Sequence, residues 1–106
     1  MITQMKTRLT LDAELRTILG SNNCYFQPPA SKKMTYPAIV YEKAKSQITH
    51  ADDKTYLHRT KYMITSISAN PDTTIPDDLV NHFDYCYLDR HFTSDGLNHD
   101  VLVLYY

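Results

Sequence analysis

The stretch that decides the fold is AIVYEKAKSQITHADDKTYLHRTKYMITSISA, residues 38–69. Apolar and β-branched residues at each end flank a polar centre. That pattern predicts two strands joined by a hairpin, a long β-run from Tyr36 past Lys45 and a return from Tyr56 to Ala69. The polar tip from His50 to Lys54 is the natural turn, though it holds no glycine. Side chains alternate along a strand. Ala38 and Val40 therefore point one way, and Ile39 and Tyr41 the other. On the return, Tyr62 and Ile64 oppose Met63, Thr65 and Ile67. Both faces are apolar at the base of this hairpin. Its outer half is polar and would project about 20–25 Å at strand rise.

Upstream, the chain through Gly20 reads as helical. Ile2, Met5 and Leu9 share one face, and Leu11, Leu15, Ile18 and Leu19 form a second run. Thr10 is placed to cap a helix carrying Asp12 and Glu14 in its first turn, and Gly20 to end it. NCYFQ follows as a short strand, then a loop with Pro28, Pro29 and Pro37 around Ser31, Lys32 and Lys33. Downstream, NPDTTIPDDLVNHF reads as a loop entering a short helix. Thr73 or Thr74, Pro76, Asp77 and Asp78 supply its N-terminal signals. YCYLDRHFT and LNHDVLVLYY close the chain as two strands around SDG, with Leu97, Val101 and Val103 opposing Leu102 and Leu104. The order α-β-β-β-α-β-β predicts an α+β fold. It consists of a mixed or antiparallel sheet, an N-terminal helix and one short helix on one face, and a long projecting β-hairpin.

At 12.3 kDa, residues 1–106 make a single domain with one core. Two helices cover one sheet face, so the second apolar face calls for another layer. A neighbouring subunit would supply it, or loops such as the proline-rich one would fold over it. The net charge of -1 excludes whole-molecule attraction to nucleic acid and leaves only a local patch. If the hairpin turns symmetrically about Asp52, Lys43, Lys45, Arg59 and Lys61 share one face and could meet DNA or another anion. Slipped by one residue, they separate. The alternative is a solvated face. Cys24 and Cys86, far apart in sequence, read as reduced thiols. MITQMKTRLTLD carries no apolar run long enough for a secretion signal or membrane span.

Catalytic and metal chemistry finds little support. His50, His58, His82, His91 and His99 match no zinc spacing. Asp89, His91, Asp95, His99 and Asp100 lie near one another in sequence, but no nucleophile motif accompanies them. With two glycines, a glycine-rich phosphate loop is not available. No cofactor is expected. YLHRTKY interleaves aromatic and basic residues in a way that suits base stacking, and equally suits an ordinary strand.

The runs YFQPP…KMTYPAIVYE, HADD, NPDTTIPDDL and DRHFTSDGLNHDVLVLYY together resemble the tail-terminator, or tail-completion, proteins of long-tailed bacteriophages. The resemblance covers nearly the whole chain after residue 20. Asp53 departs from it, standing where the family pattern has Asn. The resemblance implies an α+β subunit of a six-fold ring in the virion, assembled in the bacterial host cytoplasm. That ring caps the tail tube, joins the tail to the head or neck, and lets DNA pass through. It implies a homo-oligomer whose partners are the tail-tube protein and a neck or head-completion protein, with no enzymatic activity and no membrane partner. Contacts would fall to Pro28, Pro29, Lys32 and Lys33 in the loop, and to His50, Asp52, Asp53 and Lys54 at the hairpin tip. Lys43, Lys45, Arg59 and Lys61 would face DNA or an acidic ring. Three other readings stay open: a head-side neck stopper or adaptor, a small nucleic-acid-binding module, and an enzyme built on Asp95, His99 and Asp100.

Overall fold

A computed structural model describes residues 7–44 and 60–106. The elements follow the expected order: α1 (Arg8–Leu19), β1 (Cys24–Phe26), β2 (Ala38–Lys43), β3 (Lys61–Ser68), α2 (Ile75–His82), β4 (Cys86–Ser94) and β5 (Leu97–Tyr105). The strands form one mixed sheet in the order β1-β2-β3-β5-β4. β1 runs parallel to β2, with Cys24 opposite Ile39, and the remaining neighbours are antiparallel.

α1 begins one turn earlier than its acidic residues suggest. Thr7, in extended conformation, is the N-cap, and Thr10 sits at N3. The Thr10 N–H donates to Thr7 Oγ1 at 3.4 Å, and the Thr7 N–H donates to Thr10 Oγ1 at 2.9 Å. The two residues thus satisfy each other's free donors in a reciprocal cap. This corrects the placement of Thr10 as the cap. Asp12 and Glu14 fall beyond the first turn and serve tertiary bonds instead. Leu9 is 68% exposed, so it is not part of a core-facing stripe. Gly20, at φ 81°, ends the helix with its N–H on the Arg16 carbonyl. Only glycine takes that conformation at little cost.

α2 starts after Thr74, with a proline in its first turn followed by Asp77 and Asp78. Its first turn is therefore negative where the helix dipole is positive. β4 and β5 are closed by Asp95 and Gly96, at φ 54° and 75°. Both central residues at positive φ, with Ser94 paired to Leu97, make the two-residue hairpin turn for which Asp-Gly is suited.

Both helices among the described residues lie on one face of the sheet. Leu11 and Leu15 of α1 and Leu79 of α2 pack on Cys24, Ile39, Tyr41, Tyr62, Ile64, Leu102 and Leu104. These strand residues are the set that alternation assigns to a single face. Arg16 fastens α1 to the start of β1, donating to the carbonyls of Asn22 at 2.9 Å and Cys24 at 3.1 Å. No helix among the described residues is long and apolar enough to cross a membrane.

Candidate interaction surface

The second face carries Val40, Met63, Thr65, Ile67, Val101 and Val103 across the three central strands. Ala38, Ile67, Val101 and Val103 on this side are buried, and Val40, Met63 and Thr65 are half-buried. Towards β4 the face turns aromatic. Phe92 is exposed and stacks on His99 at 4.7 Å between ring centroids, 11° from parallel, and Tyr87 is exposed nearby. The buried side chains of α1 and α2 all belong to the opposite face.

The proline-rich loop, residues 27–37, touches this second face at its β1 margin. Tyr25 Oη accepts the Thr35 N–H at 3.4 Å, and Lys32 Nζ stands 5.7 Å from the Tyr25 ring centroid. Within the loop the Lys32 N–H donates to the Pro29 carbonyl at 2.9 Å, closing a turn. Pro28 is half-buried, while Pro29, Lys32 and Lys33 are exposed. The loop also has a topological task. β1 and β2 are parallel neighbours, so the chain must return from the end of one to the start of the other.

The hairpin register separates the basic residues. Lys43 pairs with Tyr62, and the Ala44 N–H donates to the Lys61 carbonyl at 2.8 Å. This pairing is one residue away from a turn symmetric about Asp52. Lys43 therefore lies on the helix side, and Lys61 on the opposite side beside Tyr105, whose ring centroid is 6.0 Å from Lys61 Nζ. Of the two registers the sequence allows, this is the slipped one, in which Lys43 and Lys61 do not share a face. β2 ends at Lys43, and the expected continuation past Lys45 and the projecting part of the hairpin fall outside the described residues. Lys45, His50, Asp52, Asp53, Lys54, His58 and Arg59 lie outside the described residues.

Two polar clusters fasten the helices. Buried Tyr41 donates through Oη to Asp12 Oδ2 at 2.5 Å, and Asp12 also receives the Arg16 guanidinium. Burial works against the Asp12 charge. The bonds from Tyr41 and Arg16, with the charges of Arg16 and Arg8, outweigh it and hold the carboxyl below its ordinary range. Burial, reinforced by the bond to Asp12, pushes the Tyr41 hydroxyl well above its ordinary value. In the second cluster, Tyr106 Oη donates to Glu14 and lies 2.8 Å from Thr10 Oγ1. Glu14 also meets His82 Nε2 at 2.9 Å. Here burial first, then the bond to Glu14, raises Tyr106 to about 12. The sequence signal for the first cluster was available in the i, i+4 spacing of Asp12 and Arg16. Its partner Tyr41 comes from a distant strand.

The closing hairpin splits the Asp/His group. His91 Nδ1 lies 2.6 Å from Asp100 Oδ1, a cross-strand pair on the helix side. His99 is on the other side with Phe92, its Nδ1 3.2 Å from the Leu97 carbonyl, and Asp95 sits in the turn. Among the described residues, no three of His, Cys, Asp and Glu gather as a metal site. Scans against models of known families, curated proteins and solved structures each return no match.

Proposed function

We propose that this chain is a structural, non-enzymatic subunit of a ring at the tail-to-head junction of a long-tailed phage, where it terminates the tail tube. The observation that carries the reading is the two-faced sheet. Both helices among the described residues pack on one side, and the other side is apolar across β2, β3 and β5. Much of that side is already buried within the chain, and the half-buried Val40 and Met63 with the exposed Tyr87 and Phe92 are the part that a second protein surface would cover. Around a ring, each subunit would offer this face to a different surface of the next, a heterologous contact that closes. The resemblance to tail-terminator proteins supplies the biological setting, and the α+β architecture agrees with it.

The near-neutral charge suits a conduit that lets DNA pass without gripping it. Separation of Lys43 from Lys61 by the register removes part of the basic cluster on which a DNA-binding module would depend. Native mass spectrometry of the protein, alone and with its tail-tube protein, tests the reading. A six-fold species that forms when tubes are added is expected. Absence of any six-fold species in both conditions, with binding to the portal complex instead, would transfer the chain to the head-side stopper role.

A further inference from the structure

The two edges of the sheet differ. β1 is three residues long, and its Cys24 carbonyl already accepts Arg16 Nη2. β4 is nine residues long, exposed from Tyr87 to Ser94, and has neither proline nor lysine. Long exposed edges of this type invite another strand. β4 also carries a bulge, because Leu88 opposes Leu102 while Arg90 opposes Val101. A bulge commonly spoils edge pairing. Here its position has the opposite effect.

The backbone phase follows from two bonds. The Tyr105 N–H donates to the Tyr85 carbonyl, so Tyr85 and Tyr87 address β5, and Cys86 and Leu88 turn their backbone groups outward. The Tyr106 N–H donates to the Thr60 carbonyl, so the even-numbered residues of β5 address β3 and the odd-numbered ones address β4. Arg90, Phe92 and Ser94, opposite Val101, His99 and Leu97, therefore point inward, and His91 and Thr93 point outward. The outward positions are Cys86, Leu88, His91 and Thr93, symmetric about a point between Asp89 and Arg90.

We infer that the β4 edges of two copies of this chain pair antiparallel about a two-fold axis at Asp89–Arg90. In that register Leu88 meets His91 of the second copy and Cys86 meets Thr93. Each of these pairs is outward on both strands, so the hydrogen-bond phases match. The faces match too, because Tyr87 meets Phe92 of the second copy on the side away from the helices. At the axis, Asp89 faces Arg90 of the second copy, and the symmetry repeats this opposite-charge pair. Without the bulge, the same register would set outward groups against inward ones. A shift by one residue would place Arg90 against Arg90. Charge, facing and backbone phase thus select the same register, and the occupant they select is a second copy.

This contact goes beyond the ring reading and does not rest on it. A two-fold contact cannot close a six-fold ring, so the pair is a form of the protein outside the ring. Size-exclusion chromatography with light scattering on the full chain tests it. Wild type is expected to dimerise. Asp89→Arg alone and Arg90→Asp alone each place like charges at the axis, twice per dimer, and should weaken it about tenfold. The double exchange Asp89→Arg/Arg90→Asp restores opposite charges and should recover the dimer. As a register test, Tyr87→Cys and Phe92→Cys proteins are mixed and oxidised, and the 87–92 disulfide sought in the peptide map. A monomeric wild type would overturn the inference. So would single exchanges without effect, or a disulfide map lacking 87–92. A six-fold wild type indifferent to the exchanges would overturn it while leaving the ring reading intact.

Discussion

Replacing Tyr41 by Phe isolates one bond while preserving the ring that fills the core. Tyr41 is fully buried, and its hydroxyl donates to Asp12 at 2.5 Å. A hydrogen bond to a charged group contributes about 1.5–3 kcal/mol. The Asp12 side chain is 18% exposed and keeps Arg16, so water replaces part of the loss. The lower half of that range, about 1.5–2 kcal/mol, is the expected cost at pH 7. With a urea m-value of about 1.5 kcal/mol/M, the unfolding midpoint moves down by about 1 M. The pH dependence adds a signature. Asp12 has a lowered folded pKa, so its stabilisation is full above the unfolded value and is lost as pH falls through the folded one. Removing the Tyr41 donor brings the folded pKa back towards the unfolded one. The difference between wild type and Tyr41→Phe should therefore be largest at pH 7 and shrink at about pH 3, below the unfolded carboxylate value. Urea titrations at both pH values measure it. A loss under about 0.5 kcal/mol at pH 7, or an equal loss at both pH values, would refute the account of this bond.

Three further predictions concern side chains on the strands. Leu102→Ala empties a fully buried position at the centre of the helix-side core and should cost about 2–5 kcal/mol in chemical denaturation. The Ser66 hydroxyl is buried with no hydrogen-bond partner among the described residues, so Ser66→Ala should raise stability, by up to about 1 kcal/mol. Burial pushes the Cys86 thiol to about 11, and burial with the nearby Asp12 charge pushes Cys24 to about 12. Both thiols stay neutral in the folded state while unfolded thiols ionise near pH ~8.5. Stability should then fall as pH rises from there towards the folded values, and Cys24→Ala/Cys86→Ala should flatten that limb in melts across pH.

The parts of the fold legible in the sequence are those governed by local rules. The two faces of β2, β3 and β5 follow from a period of two. The end of α1 follows from Gly20, and the β4–β5 turn from Asp95-Gly96. The start of α1 was misplaced because two threonines three residues apart both fit a cap, and only the backbone of Thr7 shows which one leaves the helix. The hairpin register is not a local property. Strand alternation is the same for a turn centred on Asp52 or half a residue away, yet that half-step moves Lys43 and Lys61 to opposite faces. The β4 bulge is silent for the same reason, since an extra residue is visible only against the strand it opposes. The Tyr41–Asp12 and Tyr106–Glu14 bonds join residues far apart in sequence, and composition alone does not pair them.

The proline-rich loop shows how far topology explains a segment. From Phe26 the chain must return along three residues of β1 and move one strand sideways to enter β2. This is a straight path of about 11 Å. Residues 27–37 can reach about 36 Å when extended. Topology therefore requires a connection, and roughly two thirds of this reach is surplus. The surplus includes the exposed run Pro29 to Lys33, folded into a turn by the Lys32–Pro29 bond. The prolines lower the entropy lost when such a loop docks. Deleting Ser31–Lys33 leaves about 26 Å of reach, still enough to span the gap. It removes the two lysines, of which Lys32 is the cation beside Tyr25, and leaves the Gln27–Tyr41 backbone bond and the Asn23–Pro37 bond that anchor the ends. The deletion protein should melt within a few degrees of wild type but join tails to heads less efficiently in an in vitro joining assay. A collapsed fold would show that the surplus is structural. Normal joining by a folded deletion protein would show that the loop only connects.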